Sequence, residues 1–314
     1  MWQANPGIVR IEKNNRKRYS YREGVLRTHQ TECADWSIER KLKMSSRIAL
    51  IESFKDTLRI IKEDSLLREC TEKMKAGTRL FMPEFDAICP QIKREKPETI
   101  IREDTTFHCA QLQINGNDKV AVLNFANAYT PGGSVKDGAM AQEECLCRSS
   151  NLYSALTIPY LLKNYYKWNA KNTGAMGSDA VVYSPDVTVF KTDDPVPKLM
   201  EEWFKVDVIS SAAPYYDKDK KKPVSEDKLR DVFRKRIENI LSVAAANDVD
   251  VLVLGAFGCG AFNNPPELVA DEFYELVVKI GFGRFFRKVI FAIKSDGERG
   301  KANYEAFASR FKDD

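Results

Sequence analysis

The chain has 314 residues, 43% hydrophobic and 30% charged, with 49 basic against 45 acidic side chains. This composition fits one enzyme-sized globular domain with an extension, and no apolar run reaches the roughly 18 residues that span a bilayer, so no membrane partner is expected. A net charge of +4 is too small for this length to mark a nucleic-acid binder by itself.

The first residues, Met-Trp-Gln-Ala-Asn-Pro, lack the charged start and apolar stretch of a secretory signal, so a soluble protein of the cytoplasm or nucleus is expected. Seven cysteines form an odd, scattered set without Cys-x-x-Cys spacing, which predicts reduced thiols and no metal site. Two basic clusters, at 13–18 and 218–222, read as solvated tail and loop rather than a polyanion-binding patch.

Residues 1–44 are polar and aperiodic and predict a loose, partly helical arm. Over 43–74 the residues Ile48, Leu50, Ile51, Phe54, Leu58, Ile61, Leu66 and Leu67 recur at helical spacing, predicting one or two amphipathic helices in an accessory layer. Beyond the turn-rich 89–97, strands are predicted over 99–102, 107–114 and 119–125, followed by a helix over 142–156. Strands over 180–190 and 206–211, a helix over 224–246 and a strand over 250–255 come next. A proline-initiated helix over 265–280, a strand over 288–293 and a helix over 301–311 complete the chain. The alternation predicts an α/β fold with a parallel or mixed sheet covered on both faces, and a boundary between accessory residues 1–97 and the main domain 98–314.

Ligands of such sheets bind beyond the carboxyl ends of strands, so the loops leaving them are where chemistry is expected. Residues 124–144 read Asn-Phe-Ala-Asn-Ala-Tyr-Thr-Pro-Gly-Gly-Ser-Val-Lys-Asp-Gly-Ala-Met-Ala-Gln-Glu-Glu and deliver two carboxylates to a helix start. Adjacent helix positions diverge by about 100°, so Glu143 and Glu144 are expected to take different tasks. Residues 254–264, Leu-Gly-Ala-Phe-Gly-Cys-Gly-Ala-Phe-Asn-Asn, place glycines at 255, 258 and 260 before a helix, a pattern suited to a diphosphate.

Together these loops resemble the macrodomain-type poly(ADP-ribose) glycohydrolases, and in particular their microbial type. The resemblance rests on Gly132-Gly133-Ser134, a seven-residue spacer and Gln142-Glu143-Glu144, on Phe125-Ala126-Asn127, on Phe257 to Phe262, and on the continuation from Cys145 to Tyr153. It covers residues 104–295 and implies a three-layer α/β/α macrodomain-like mixed sheet with an N-terminal helical extension. The implied activity is metal-free and cofactor-free hydrolysis of ribose–ribose O-glycosidic bonds in poly(ADP-ribose). ADP-ribose polymer or ADP-ribosylated protein is the implied partner, and ADP-ribosylated nucleic acid is left open.

Residue by residue, the resemblance implies that Glu144 protonates the departing oxygen and then activates water, and that Glu143 binds ribose hydroxyls. It further implies that Asn127 orients ribose and carboxylate, that Gly132 and Gly133 pass the distal ribose, and that Gln142 braces the helix start. Gly258, Cys259, Gly260 and Ala261 belong to the implied diphosphate loop, Phe262 packs on the proximal ribose, and Asp104 is a candidate for adenine. Ser134 departs from the family's third glycine, and its Cβ is expected to restrict the backbone and narrow the approach to the distal ribose.

Other residues read more plainly. His29 and His108 are the only histidines, which makes a histidine triad or histidine metal site improbable, and Cys259 lacks a histidine partner for nucleophilic work. Tyr153, Tyr165 and Tyr166 read as core or rim, and residues 210–215 follow a strand and are candidates to line the cleft. Two rival functions remain at this level: a non-catalytic ADP-ribose-binding module, and a hydrolase limited to mono-ADP-ribosyl conjugates. Both glutamates argue for chemistry, since a reader needs no carboxylate at the distal ribose.

Overall fold

A computed structural model of the chain describes residues 11–12, 31–82, 92–114, 116, 118–194, 196–217 and 224–312, with backbone alone for 11–12 and 31–45. The basic clusters at 13–18 and 218–222, His29 and most of the arm expected over 1–44 lie outside the described residues. Eight strands form one sheet: β1 (Ile11–Glu12), β2 (Arg79–Phe81), β3 (Glu98–Arg102), β4 (Val120–Phe125), β5 (Val181–Lys191), β6 (Leu199–Ser211), β7 (Val251–Leu254) and β8 (Lys288–Ala292). Their order is β1-β3-β8-β7-β4-β6-β5-β2. Every pairing from β1 across to β6 is parallel, while β5 and β2 close the other edge antiparallel.

The helices are α1 (Thr31–Glu63), α2 (Ser65–Gly77), α3 (Thr106–Gln111), α4 (Gln142–Ser149), α5 (Leu152–Leu156), α6 (Pro159–Leu161), α7 (Lys167–Asn172), α8 (Glu226–Ala246), α9 (Pro266–Tyr274) and α10 (Gly297–Arg310). Successive side chains of a strand point to opposite faces, and here both faces are buried. Ala121, Leu123, Ile209 and Leu252 enter one core with residues of α8, α9 and α10. Val120, Val122, Val208 and Val253 enter the other with Phe54, Met74, Leu146 and Leu152. The result is the three-layer α/β/α sandwich expected from the sequence. Among the described residues no helix is long and apolar enough to cross a membrane.

Two predicted elements are corrected. Residues 107–114, read as a strand, fall largely in α3 (Thr106–Gln111): the buried residues Thr106, Phe107, Cys109 and Ala110 form two adjacent pairs three apart, which is one face of a helix. Asp104 settles the choice by accepting hydrogen bonds from the Thr105 N–H at 2.8 Å and holding His108 Nδ1, four residues on, at 2.6 Å. The helix expected over 142–156 breaks between α4 and α5, where Ser150 is extended and bridges Val189. Buried Asn151 holds that break, donating to Thr71 Oγ1 and accepting from the Thr188 N–H.

Helix α1 braces the loop between β4 and α4. Arg47 Nε donates to the Asp137 carbonyl at 2.6 Å, Thr57 Oγ1 donates to the Arg148 carbonyl at 2.5 Å, and Phe54 stacks edge-on against Tyr153 at 5.0 Å. On the other face, buried Arg236 of α8 pairs with Asp179 at 3.0 Å and donates to the carbonyls of Ala212 and Met176. These contacts tie the end of β6 to the turn before β5. Arg236→Leu keeps the volume but leaves two carbonyls and a carboxylate unpartnered, so a loss of about 3 to 5 kcal/mol in urea unfolding is expected.

Candidate active site

Because β3, β8, β7, β4 and β6 are parallel, their carboxyl ends share one edge of the sheet, and a cleft of about 420 Å³ opens there. Its walls follow strand ends in turn: Asp104 to Thr106 after β3, Phe125 and Asn127 after β4, Ala213 after β6, Ala256 to Phe262 after β7, and Ala292 to Lys294 after β8. Gln142, Glu143 and Glu144 enter from the start of α4. Most of the residues expected from sequence therefore converge. The sequence reading missed Ala292 to Lys294 and Asn303 of α10, although the rule that placed the other loops at strand ends would have found the loop after β8.

Gln142 explains how α4 is anchored. On its β7-facing edge β4 outruns its partner after Val122, which leaves Leu123 and Phe125 without a ladder. The Gln142 amide fills both positions: its Oε1 accepts from the Phe125 N–H at 2.8 Å and its Nε2 donates to the Leu123 carbonyl at 2.7 Å and to Thr106 Oγ1 at 3.1 Å. Its polar atoms thus engage the protein, consistent with a brace.

The two glutamates are 3% and 6% exposed. The Asn127 N–H donates to Glu143 Oε2 and the Ser134 N–H to Glu144 Oε1, each at 2.8 Å. The loop thus grips the helix start from both ends, which lets divergent neighbours line the same cleft. Glu143 Oε1 and Glu144 Oε2 remain buried without a protein partner, a state tolerated where a ligand is to be received. Burial above all, and then the neighbouring Glu144 charge, push the Glu143 carboxyl up to about 8, against the opposing pull of the Asn127 N–H.

The side chain of Asn127 faces its own loop, its Oδ1 accepting from the Tyr129 and Thr130 N–H groups at 2.8 and 2.9 Å. Gly132 and Gly133 have φ of +70° and +55°, where a side chain is disfavoured. They back the carboxylates: a Cβ at Gly133 would overlap Glu144 Oε1, and one at Gly132 would meet the Tyr153 ring at 2.8 Å. Ser134 has φ of −100° and an exposed side chain, so the expected backbone restriction is corrected: this conformation suits any residue.

In the second loop Gly258 has φ of +78° and no room for a Cβ beside Ala213, so it is required by the turn. Asn264 pins that turn, donating to the Pro214 and Gly258 carbonyls at 2.8 and 2.9 Å. Gly260 faces open space. The Cys259 N–H bonds to the Ala256 carbonyl, and its buried thiol, which desolvation pushes far up, is unsuited to nucleophilic attack. The N–H groups of Gly258, Gly260, Ala261 and Phe262 make no hydrogen bond among the described residues, which leaves them available to a ligand. Phe262 packs edge-on against Tyr215 at 6.3 Å.

A family model described as microbial-type PARG, catalytic domain, matches residues 55–192. The crystal structure of poly(ADP-ribose) glycohydrolase (PARG) from Thermomonospora curvata is similar at 30% identity and a TM-score of 0.73, covering 84% of this chain and 100% of that one. The chain belongs to the microbial-type poly(ADP-ribose) glycohydrolases. That enzyme bound to the inhibitor ADP-HPD matches at 32% identity and a TM-score of 0.72, over 84% and 100% of the two chains. The glycohydrolase from Deinococcus radiodurans in complex with ADP-ribose matches at 32% identity and a TM-score of 0.67, over 77% and 97%. No match to a curated protein is found.

Two outcomes follow for this glycohydrolase. Gly133→Ala displaces Glu144 and lowers turnover by about 100-fold or more, whereas Ser134→Gly leaves the melting temperature nearly unchanged; parallel turnover and melting measurements check both. Since the Glu143 carboxyl is raised from 4.5 to about 8, folded protein holds a proton that the unfolded chain releases. Stability from this group is full below 4.5 and is lost as pH rises through about 8. Glu143→Gln should flatten that decline, and melting curves of both proteins between about pH 5 and 9 would reveal it.

Proposed function

We propose that Glu144 is the general acid/base with which this chain hydrolyses the ribose–ribose O-glycosidic bonds of poly(ADP-ribose), releasing ADP-ribose. The observation that carries the assignment is the paired hold on buried carboxylates at a cleft, each with one oxygen free of protein partners. Glu144 in its acid form gives its proton to the departing ribose oxygen as the C1–O bond breaks and the electron pair leaves with that oxygen. An oxocarbenium-like ribosyl centre forms, and the Glu144 carboxylate then takes a proton from the water that attacks it. Glu143 hydrogen-bonds the ribose hydroxyls, and burial keeps it protonated near neutrality, so the two carboxyls need not bear adjacent charges.

The free N–H groups of Gly258, Gly260, Ala261 and Phe262 suit the diphosphate, with Phe262 beside the proximal ribose and Asp104, another residue of the cleft lining, toward adenine. Asn127 acts through its backbone on Glu143, and Gln142 through β4 on the helix start. An ADP-ribosylated protein presents the same polymer, so the site as built accepts it without a separate contact.

Glu144→Gln should retain ADP-ribose binding by calorimetry while hydrolysis of polymer falls by about 10³. Undiminished hydrolysis would overturn the role. Gly260→Val, where a Cβ meets no atom within 4 Å, should fold normally and lose ADP-ribose affinity. Gly258→Val should instead lower the melting temperature, because its Cβ collides with Ala213.

A further inference from the structure

The helical stretch from Pro159 to Asn172, comprising α6, a π turn at Leu162–Tyr166 and α7, supplies no wall of the cleft. Its outer surface is nevertheless chemically one-sided. From Cys145 to Ser178 the sequence contains no Asp or Glu, and Lys163, Lys167 and Lys171 recur every fourth residue within it. All three are exposed, and none forms an ion pair among the described residues. Tyr160, 56% exposed, precedes them and Trp168, 41% exposed, follows Lys167, whereas Tyr165 and Tyr166 are buried. The core is complete without the outer aromatics, so packing gives no reason for an indole and a phenol among unpaired lysines.

This strip is tied to a loop of the active site. The turn that follows it, Gly174–Met176, receives the Tyr129 hydroxyl on the Gly174 carbonyl and the Tyr215 N–H on the Ala175 carbonyl at 3.1 Å. Tyr129 lies in the loop that carries Gly132, Gly133 and the hold on both glutamates. With the diphosphate at residues 258–262 and the reacting ribose at Glu144, the leaving group departs past this loop.

We propose that Lys163, Lys167 and Lys171, with Tyr160 and Trp168, bind the part of an ADP-ribose polymer that lies outside the cleft. The proposal rests on the assignment of poly(ADP-ribose) as substrate. Each repeat of that polymer offers a diphosphate to a lysine and an adenine to an aromatic face, and the three lysines span about 12 Å of helix. Nucleic acid offers related chemistry, but only the polymer is tethered to the reacting ribose at the neighbouring site.

The test compares wild type with a triple variant, Lys163→Gln, Lys167→Gln and Lys171→Gln, on long and on minimal ADP-ribose polymers. For long polymer KM should rise about tenfold with kcat unchanged, and the slope of log KM against log salt should fall by about two. Hydrolysis of minimal polymer and binding of free ADP-ribose should be unaffected, the triple Lys→Arg variant should behave as wild type, and Trp168→Ala should raise KM for long polymer alone. An unchanged KM for long polymer, or an equal rise for minimal polymer, overturns the proposal. So does wild-type binding in which RNA of equal charge displaces long polymer as well as unlabelled long polymer does. Binding of uncleaved long polymer to Glu144→Gln, with and without the lysine changes, reads the surface independently of turnover. Failure of wild type to cleave any polymer would instead sink the assignment of substrate.

Discussion

Two backbone N–H groups, those of Asn127 and Ser134, hold two buried carboxylates at the start of one helix, and the site is arranged around that hold. Burying a carboxylate costs several kcal/mol unless it is hydrogen-bonded or neutralised, and one N–H per group compensates only partly. Each carboxyl therefore keeps an unsatisfied oxygen inside the protein, and Glu143 keeps a raised affinity for a proton. Such an arrangement persists only if the surroundings cannot relax. Gln142 fastens the helix to β4, Gly132 and Gly133 let the loop close behind the carboxyls, and Tyr153 fills the space beneath.

The accessory helices extend this rigidity. Arg47, Phe54 and Thr57 of α1 touch the loop carbonyl at Asp137, the ring of Tyr153 and the carbonyl of Arg148, so the first long helix presses on the catalytic loop from outside. Opposite it, Arg236 and Asn264 fix the ends of β6 and β7, which leaves the loop of Gly260 to Phe262 at the cleft with its N–H donors free. One wall of the site carries the buried carboxylates and the other the unengaged N–H groups, and they meet because parallel strands end on the same edge of the sheet.

Much of this was legible in the sequence for reasons that can be named. Continuous apolar runs such as 120–123 and 251–254 require a strand buried on both faces, and their alternation with amphipathic helices requires a layered α/β fold. Glycines ahead of Gln142-Glu143-Glu144 and around Cys259 marked the two walls. Residues 107–110 were misread because an apolar stretch this short fits strand or helix by residue type, and burial in adjacent pairs and the local hold by Asp104 emerge only in the folded chain. Asn303 was invisible because nothing in its local pattern distinguishes a cleft wall from a helix surface.

The sequence by itself determined most of the order of strands and helices, the two glycine loops and the position of the paired carboxylates, because these depend on periodicity and residue type. Tertiary structure decided what each residue does there. Gly133 is needed to make room for Glu144, Gly258 to turn beside Ala213, and Ser134 is free to carry a side chain because its φ is ordinary. Those distinctions depend on which atoms from distant strands arrive beside a given Cα, and local sequence holds no record of that.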